Sequence, residues 1–428
     1  MTTRRSFLQA SVSAAALAVA HSSQARAVPP SDRITLGFIG VGKMGRGHLR
    51  KLLGNADAQV VAVCDVVQER REDAVRLTTE HYGKQTKTGE YRGVRGHHDF
   101  RELLRDDSLD AVVIATPDHW HAIPCRLAAQ AGKHIYCEKP LTHNIAEGQH
   151  LVRQVAQAGI VFQTGSQQRS EFGGHFRRAV EAIWNGRIGQ IQRVRIGVGG
   201  PAKPCDLPTE EVPPGTDWDT WVGPAPLRGY NQILCPQGIH DHFPNWRQYQ
   251  EFAGGGLADM GAHHFDIAQW ALKMDTSGPT RIIPPQDEQA GQGLRFIYEN
   301  GIEMIHNEFE EGIKADCVFE GTDGMILVSR GGISSRPGTI LEEPLGADAL
   351  RVMESSNHHQ NWLTAVRAGS TTICPAEVGH RSASICHLAN IGYRLKRELK
   401  WDPQHEKFVN DNEANQLLSR TARDPWNI

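Results

Sequence analysis

The sequence predicts an α/β protein in two parts, a doubly wound parallel sheet followed by a run of short strands that reads as a mostly antiparallel sheet. Three observations predict it. Near the N-terminus, buried-looking apolar strands alternate with helical stretches, the pattern of a parallel sheet covered on both faces. A glycine-rich turn joins the first strand to the first helix. Beyond residue 190, short segments of alternating apolar residues recur with turn residues between them.

The chain has 428 residues, long enough for two cores. Apolar residues make up 39% and charged residues 22%, as in a globular protein, and the formal charge of −3 gives no basic surface for nucleic acid or anionic membrane. No apolar run reaches the ~20 residues of a spanning helix.

The first segment stands apart. Arg4-Arg5-Ser6-Phe7-Leu8 is a paired-arginine start, Ser11 to Ala20 is a small-residue apolar stretch, and Ala25-Arg26-Ala27 is an A-x-A cleavage signal. In that order they read as a twin-arginine export peptide spanning 1–27. The expectation is therefore a periplasmic or otherwise exported protein, handled by the twin-arginine machinery, with no membrane span after cleavage. Of the eight cysteines, Cys64, Cys125 and Cys137 fall in or beside core elements. Disulfides among Cys205, Cys235, Cys317, Cys374 and Cys386 stay open, and no C-x-x-C pair is present.

Arg33 to Ile39 is the first strand, and it runs into Gly40-Val41-Gly42-Lys43-Met44-Gly45 and then a helix from Lys43 to Leu53. That is G-x-G-x-x-G in its required context. Gly40 permits the turn, Gly42 lets a pyrophosphate approach the backbone, and Gly45 lets helix pack on strand. The helix N-terminus offers free N–H groups to phosphate. A second strand, Gln59 to Cys64, ends at Asp65, about twenty residues on, where a carboxylate would accept hydrogen bonds from a ribose 2′-hydroxyl and repel a 2′-phosphate. The expected cofactor is NAD rather than NADP, in a Rossmann domain over 31–160.

Asp110 to Ala115 is the next strand, followed by Thr116-Pro117-Asp118-His119-Trp120-His121, a helix from Ile123 to Ala131, a strand from Lys133 to Cys137, and Glu138-Lys139-Pro140. Ligands of doubly wound sheets sit at the carboxyl ends of strands. The cofactor set is therefore Gly40, Val41, Gly42, Lys43, Met44, Gly45, Asp65, Thr116, Pro117, His119, His121, Glu138 and Lys139, with Gln168 after the strand Val161 to Gln163. Lys84 to Gly96 reads as a surface loop.

These motifs resemble the Gfo/Idh/MocA oxidoreductases, the group of glucose–fructose oxidoreductase and inositol dehydrogenase. The residues that carry the resemblance are Gly40 to Gly45, Ala115-Thr116-Pro117, Gly132-Lys133-His134, Glu138-Lys139-Pro140-Leu141 and Asp259-Met260-Gly261-Ala262-His263. The resemblance implies a C-terminal α/β domain, here 161–428, whose open and mostly antiparallel sheet serves substrate binding and homo-oligomer formation. Strands are expected at Arg193 to Val198, Leu294 to Tyr298, Glu303 to Asn307, Lys314 to Phe319 and Met325 to Val328, and helices at Leu257 to Leu272, Asn357 to Ala368 and Glu377 to Leu399. The last helices are expected to pack against both domains.

The resemblance also implies the catalytic set. Lys139 matches the family's active-site lysine, and Asp259 with His263 matches its Asp-x-x-x-His pair. Residues four apart share one helical face, so that pair can converge on one substrate. His263 would take the hydroxyl proton, Lys139 would stabilise alkoxide character on the same oxygen, and Asp259 would orient substrate or imidazole. The stretch 200–251 is a Trp-, Pro- and Gly-rich insertion, either a sugar-binding loop, a packed cover or a subunit-contact arm. Trp218, Trp221, Trp246 and Arg247 are candidate sugar contacts there, joined by Arg169 and His264. His240-Asp241-His242 lacks metal-ligand spacing with His263-His264, so no metal is expected.

The function expected is an exported NAD-dependent oxidoreductase acting on a sugar or polyol hydroxyl. Outside the cytoplasm no pool of free nicotinamide cofactor is maintained, so the dinucleotide should stay tightly bound and be recycled. The alternatives are an NAD-dependent glycosidase or epimerase using transient oxidation, although the family's glycosidases depart from Glu-Lys-Pro at the lysine, and a non-catalytic NAD-containing sugar-binding protein.

Overall fold

The computed structural model describes residues 32–313 and 315–427. The export signal read over 1–27 lies outside the described residues. Six strands, β1 (Ile34–Ile39), β2 (Ala58–Cys64), β3 (Arg95–His97), β4 (Ala111–Ile114), β5 (His134–Cys137) and β6 (Phe162–Thr164), form one sheet in the order 3-2-1-4-5-6. Every pairing in it is parallel. Leu36 and Phe38 feed a core on one face, while Ile39, Ala62 and Cys64 feed a core on the other. A strand buried on both faces must be apolar throughout, and β4, Ala-Val-Val-Ile, is buried at all four positions.

β7 (Ile191–Ile196), β8 (Arg281–Ile283), β9 (Arg295–Ile297), β10 (Glu303–His306), β11 (Cys317–Gly321), β12 (Met325–Ser329), β13 (Gly332–Arg336), β14 (Leu399–Asp402) and β15 (Lys407–Phe408) form a second, nine-stranded sheet in the order 13-12-11-7-10-9-8-14-15. It is antiparallel except for the β7–β10 pair. Alternate residues such as Val194, Phe296, Met304 and Phe319 point to one face. That face packs on the helices Gly255–Ala271 and Ala376–Leu395.

The helix Ala376–Leu395 also leans on the first domain. A Cβ added at Gly148 would strike the His380 ring, and one at Gly379 would strike Thr164. Glycine is what permits that close approach. This helix joins the two cores and fixes the distance between the glycine turn and the helix Gly255–Ala271.

Three sequence expectations shift. The helix expected over Glu377 to Leu399 stops at Leu395: Lys396 takes φ +55° as its C-cap, and Leu399 and Trp401 turn inward as alternate residues of β14. The end of the loop expected over Lys84 to Gly96 is the edge strand β3, which is polar because both its faces stay exposed or half-exposed. The boundary drawn at residue 160 falls before β6, the last parallel strand. All eight cysteines are free thiols. Among the described residues no helix is long and apolar enough to cross a membrane.

Candidate active site

A cleft of about 540 Å³ runs along the carboxyl ends of the parallel strands, between the glycine turn and the helix Gly255–Ala271. At Gly40, φ is +83° and a Cβ would lie 2.8 Å from the Ala115 backbone, while a Cβ at Gly45 would overlap the Gly40 carbonyl. Gly42 differs: nothing lies within 4 Å of a Cβ built there. That open space is the groove itself, lined by Gly40, Gly42, Lys43 and Met44. Val41 is buried beneath it and donates its N–H to Asp65 Oδ2 (2.9 Å), and Val67 N–H donates to Oδ1 (2.9 Å). Asp65 is thereby aimed along the cleft wall.

At the other end the chemistry gathers. Lys139 Nζ donates to Asp259 Oδ1 and to the Asp259 carbonyl, both at 2.7 Å. Arg247 Nε lies 3.5 Å from the same carboxylate. Against the burial that raises it, these two cations hold Asp259 below the usual carboxylate range. One helical turn on, His263 faces the cleft with a buried Nδ1 that has no partner. Burial, then the Lys139 charge, push its pKa well below the ordinary histidine value. Its surroundings favour the neutral ring, and Nδ1 is unspent.

Three more cleft groups surround this trio. Asp118 is 5% exposed, and burial pushes its carboxyl up to about 8 despite Lys139 and Arg247. Glu138 is buried and accepts from His48 Nε2 (2.8 Å) and Gln167 Nε2 (2.7 Å), bonds that keep it below its ordinary value against the desolvation that raises it. Arg330 lines the wall beside His263.

The insertion closes the groove. His98 pairs with Asp217 (2.8 Å) at the Asp65 end, and Lys43 pairs with Asp241 (3.2 Å) over the glycine turn. Arg70 donates to the Pro236 and Gly238 carbonyls.

Two family models match the chain: the oxidoreductase family's NAD-binding Rossmann fold over residues 34–166, and its C-terminal alpha/beta domain over 202–428. The chain belongs to the Gfo/Idh/MocA oxidoreductase family. Its likeness to a myo-inositol 2-dehydrogenase of Thermotoga maritima is 32% identity over 169 residues, 40% of this chain and 46% of the relative. A glycosyl hydrolase family 109 protein of a Shewanella species is 37% identical over 170 residues, 35% of this chain and 36% of the relative. The chain therefore spans about half the length, or less, of these curated relatives. The crystal structure of aldose-aldose oxidoreductase from Caulobacter crescentus, complexed with glycerol, superposes with a TM-score of 0.57 at 16% identity, covering 86% of this chain and 99% of that one. That likeness concerns the fold.

Within this Gfo/Idh/MocA protein the residues expected from sequence divide. Thr116, Pro117, Glu138, Lys139, Trp221, Trp246, Arg247, Asp259 and His263 line the cleft with the glycine turn and Asp65. Others do not. Arg169, expected to touch substrate, is 1% exposed and clamps Asp266 and Asp275 through four N–H···O bonds of 2.7–3.0 Å. Trp218 stacks on Trp221 at 4.8 Å and spends its indole N–H on the Arg228 carbonyl, in the insertion's own small core. His264 turns to the Gly197 carbonyl (2.9 Å). His119 and His121 are buried braces: His119 bonds the Trp221 carbonyl, and His121 bridges the carbonyls of Pro140 and Thr116. Gln168 accepts from Arg330 Nε (3.0 Å), and its neighbour Gln167 takes the place on the cleft wall.

Asp118, His48, Gln167, Met260 and Arg330 are cleft residues that the sequence reading did not select. Asp118 and Met260 sit inside the quoted motifs, so their neighbours pointed to them. Arg330 follows β12 and had no local signal. Among the described residues no group of three or more His, Cys, Asp or Glu side chains has the arrangement of a metal site.

Proposed function

We propose that this protein is an NAD-dependent oxidoreductase of a sugar or polyol hydroxyl, exported, with its dinucleotide held and recycled. The observation that carries the reading is the convergence of Lys139, Asp259 and His263 on the cleft that the glycine turn opens. The residues fit a dinucleotide: Gly42 leaves open space at a helix N-terminus, and the Thr116 hydroxyl is a buried polar group on the cleft wall with no partner. Gly40, Gly42, Lys43 and Met44 would hold the pyrophosphate and Asp65 the adenosine ribose. The Asp65 carboxylate would repel a 2′-phosphate, and Arg70 in the same cleft is engaged by the Pro236 and Gly238 carbonyls. That favours NAD over NADP. When bound, the nicotinamide accepts or returns a hydride.

The chain's own residues do the rest. Lys139, fixed by Asp259, donates to the substrate oxygen and favours its alkoxide form. Neutral His263 takes the hydroxyl proton as the carbon is oxidised and returns it on reduction. Asp259 holds the lysine in place and spreads its charge with Arg247. The covering insertion shields the reacting end from water.

Retention has its own support. The insertion is tied down at His98, Lys43 and Arg70, around the glycine turn and Asp65. Export rests on the paired-arginine segment, and secretion of the folded protein in a fractionated host tests it. Self-association through the open face of the nine-stranded sheet is part of the same proposal, tested by light scattering.

The deciding experiment is single-turnover reduction of the bound dinucleotide by a panel of sugars. Lys139→Ala and His263→Ala are each expected to abolish hydride transfer while the dinucleotide stays bound. Retained turnover in both overturns the assignment. The glycosyl hydrolase relative keeps a second reading in view, in which oxidation is transient and a glycoside is cleaved. Solvent deuterium entering next to the oxidised carbon would favour it.

A further inference from the structure

Arg330 lines the cleft wall, and among the described residues its guanidinium has no ion-pair partner. Its Nε–H donates to Gln168 Oε1 at 3.0 Å, and its guanidinium carbon lies 4.8 Å from the Phe172 ring centre. Its backbone N–H, not its side chain, reaches the Asp316 carboxylate (3.2 Å). Among the described residues neither Nη has a hydrogen-bond partner, and no carboxylate comes to ion-pair distance of the guanidinium. Burial lowers its pKa, opposed only by the more distant charges of Asp316, Asp259 and Glu138. An arginine stays charged through such a shift, so the lowering marks a charge short of compensation.

The other charges of the reacting end are accounted for. Lys139 and Arg247 share Asp259. Glu138 accepts hydrogen bonds from His48 and Gln167, and Glu171 is paired with Lys51. Asp118 keeps its proton up to about 8. Two cations thus share one carboxylate, and Arg330 adds a further positive charge. Oxidised nicotinamide would bring yet another. A neutral polyol would leave that surplus unbalanced in a covered, poorly hydrated site.

We infer that the substrate is a sugar acid, and that Arg330 binds its carboxylate through the two Nη groups. The inference rests on the oxidoreductase reading above and adds the substrate class. The geometry suits a carboxylate. One face of the guanidinium is covered by Phe172 and its Nε edge is spent on Gln168, which leaves the outer fork, matched to a planar two-oxygen acceptor. The fork carries one positive charge, the counterpart of a carboxylate's single negative charge. Arg330 and His263 line the same cleft, and the arginine's charge bears on the His263 ring, so a carboxylate bound there would lie on the reacting side of the sugar.

The test uses the full protein as purified with its dinucleotide. D-glucuronate, D-galacturonate and D-gluconate are compared with D-glucose, D-galactose, myo-inositol and D-glucose 6-phosphate, by reduction of the bound nicotinamide and by calorimetric binding. At least one acid is expected to exceed its neutral counterpart in kcat/KM by about 10- to 100-fold, the worth of a charge-assisted hydrogen-bonded pair. That preference should fall as salt rises. Arg330→Gln should collapse the acid-to-neutral ratio toward unity through KM, and Arg330→Lys should restore only part of it because lysine lacks the planar fork. Bound dinucleotide in each variant reports that the fold is intact, and the wild-type panel stands whether or not the variants fold. Neutral sugars turned over at least as well as the acids would overturn the inference and leave the oxidoreductase reading standing. A preference for the phosphate ester would overturn it too. No reduction by any compound, together with no binding of any acid, would overturn both.

Discussion

Replacing Arg169 by methionine separates a structural role from a binding one. The guanidinium makes four N–H···O bonds, two to Asp266 at 2.8 Å and two to Asp275 at 2.7 and 3.0 Å, and lies 4.8 Å from the Trp270 ring centre. Asp275 can turn to solvent when the arginine is gone, since its side chain is 31% exposed. Asp266 cannot: it is fully buried, and apart from Arg169 its only hydrogen bond among the described residues is from the Ser382 hydroxyl. Breaking one side of a buried pair leaves an uncompensated charge and costs about 3–5 kcal/mol. At about 2 °C per kcal/mol for a large domain, the melting temperature should fall by about 6–10 °C. The double variant Arg169→Met with Asp266→Leu removes the orphaned charge and should recover most of the loss. The assay is thermal unfolding of the three proteins, with KM for the best sugar alongside. A single variant that melts within about 1 °C of wild type while KM rises would refute the structural role.

Three further outcomes follow from the same geometry. Gly42→Val should fold with the melting temperature of wild type stripped of its dinucleotide and fail to bind it, because its side chain enters the open groove, whereas Gly45→Val should unfold against the Gly40 carbonyl; calorimetry with dinucleotide analysis distinguishes them. Asp118 has a folded pKa raised to about 8, so the folded state binds the extra proton and stability falls as pH rises from about 4 to about 8. Asp118→Asn lacks this slope, and its denaturation free energy relative to wild type should improve by about 1.4 kcal/mol per pH unit across that window; a pH-independent difference would show Asp118 ionised at neutrality. Arg70→Ala frees the Pro236–Gly238 stretch and should speed dinucleotide loss about tenfold in a stopped-flow chase; an unchanged off-rate would remove the insertion from cofactor retention.

The glycine turn was readable in the sequence because its residues answer to backbone geometry: Gly40 needs positive φ, and Gly45 has no room for a Cβ. Asp65 was readable because strand ends in a doubly wound sheet face the ligand. Asp259 and His263 were readable as one helical face, and Lys139 as the motif residue at the end of β5. The nine-stranded sheet was half visible. β9 to β12 fall within segments expected as strands, but β8, β13 and β15 were not read as strands, and β14 begins at the residue where the expected last helix ended. Side-chain partners across the sequence were out of reach. Arg169 follows a strand end just as a ligand-binding residue would, and only the return of Asp266 and Asp275, about a hundred residues later, shows that it is consumed. Trp218 and Trp221 look alike on paper and stack together in the insertion core, yet only Trp221 also reaches the cleft. Arg330 is the converse case, an arginine without local context that the fold delivers to the site.

The central claim is that a held dinucleotide exchanges hydride with a sugar at Lys139, Asp259 and His263. It is tested most directly by purifying the exported protein without added cofactor and following the absorbance of reduced nicotinamide as sugars are added. Close to one equivalent of NAD per chain is expected, reduced once by a sugar substrate, reoxidised by a second carbonyl compound, and silent in His263→Ala. A protein that carries no dinucleotide, or one whose His263→Ala variant is reduced at the wild-type rate, would contradict it.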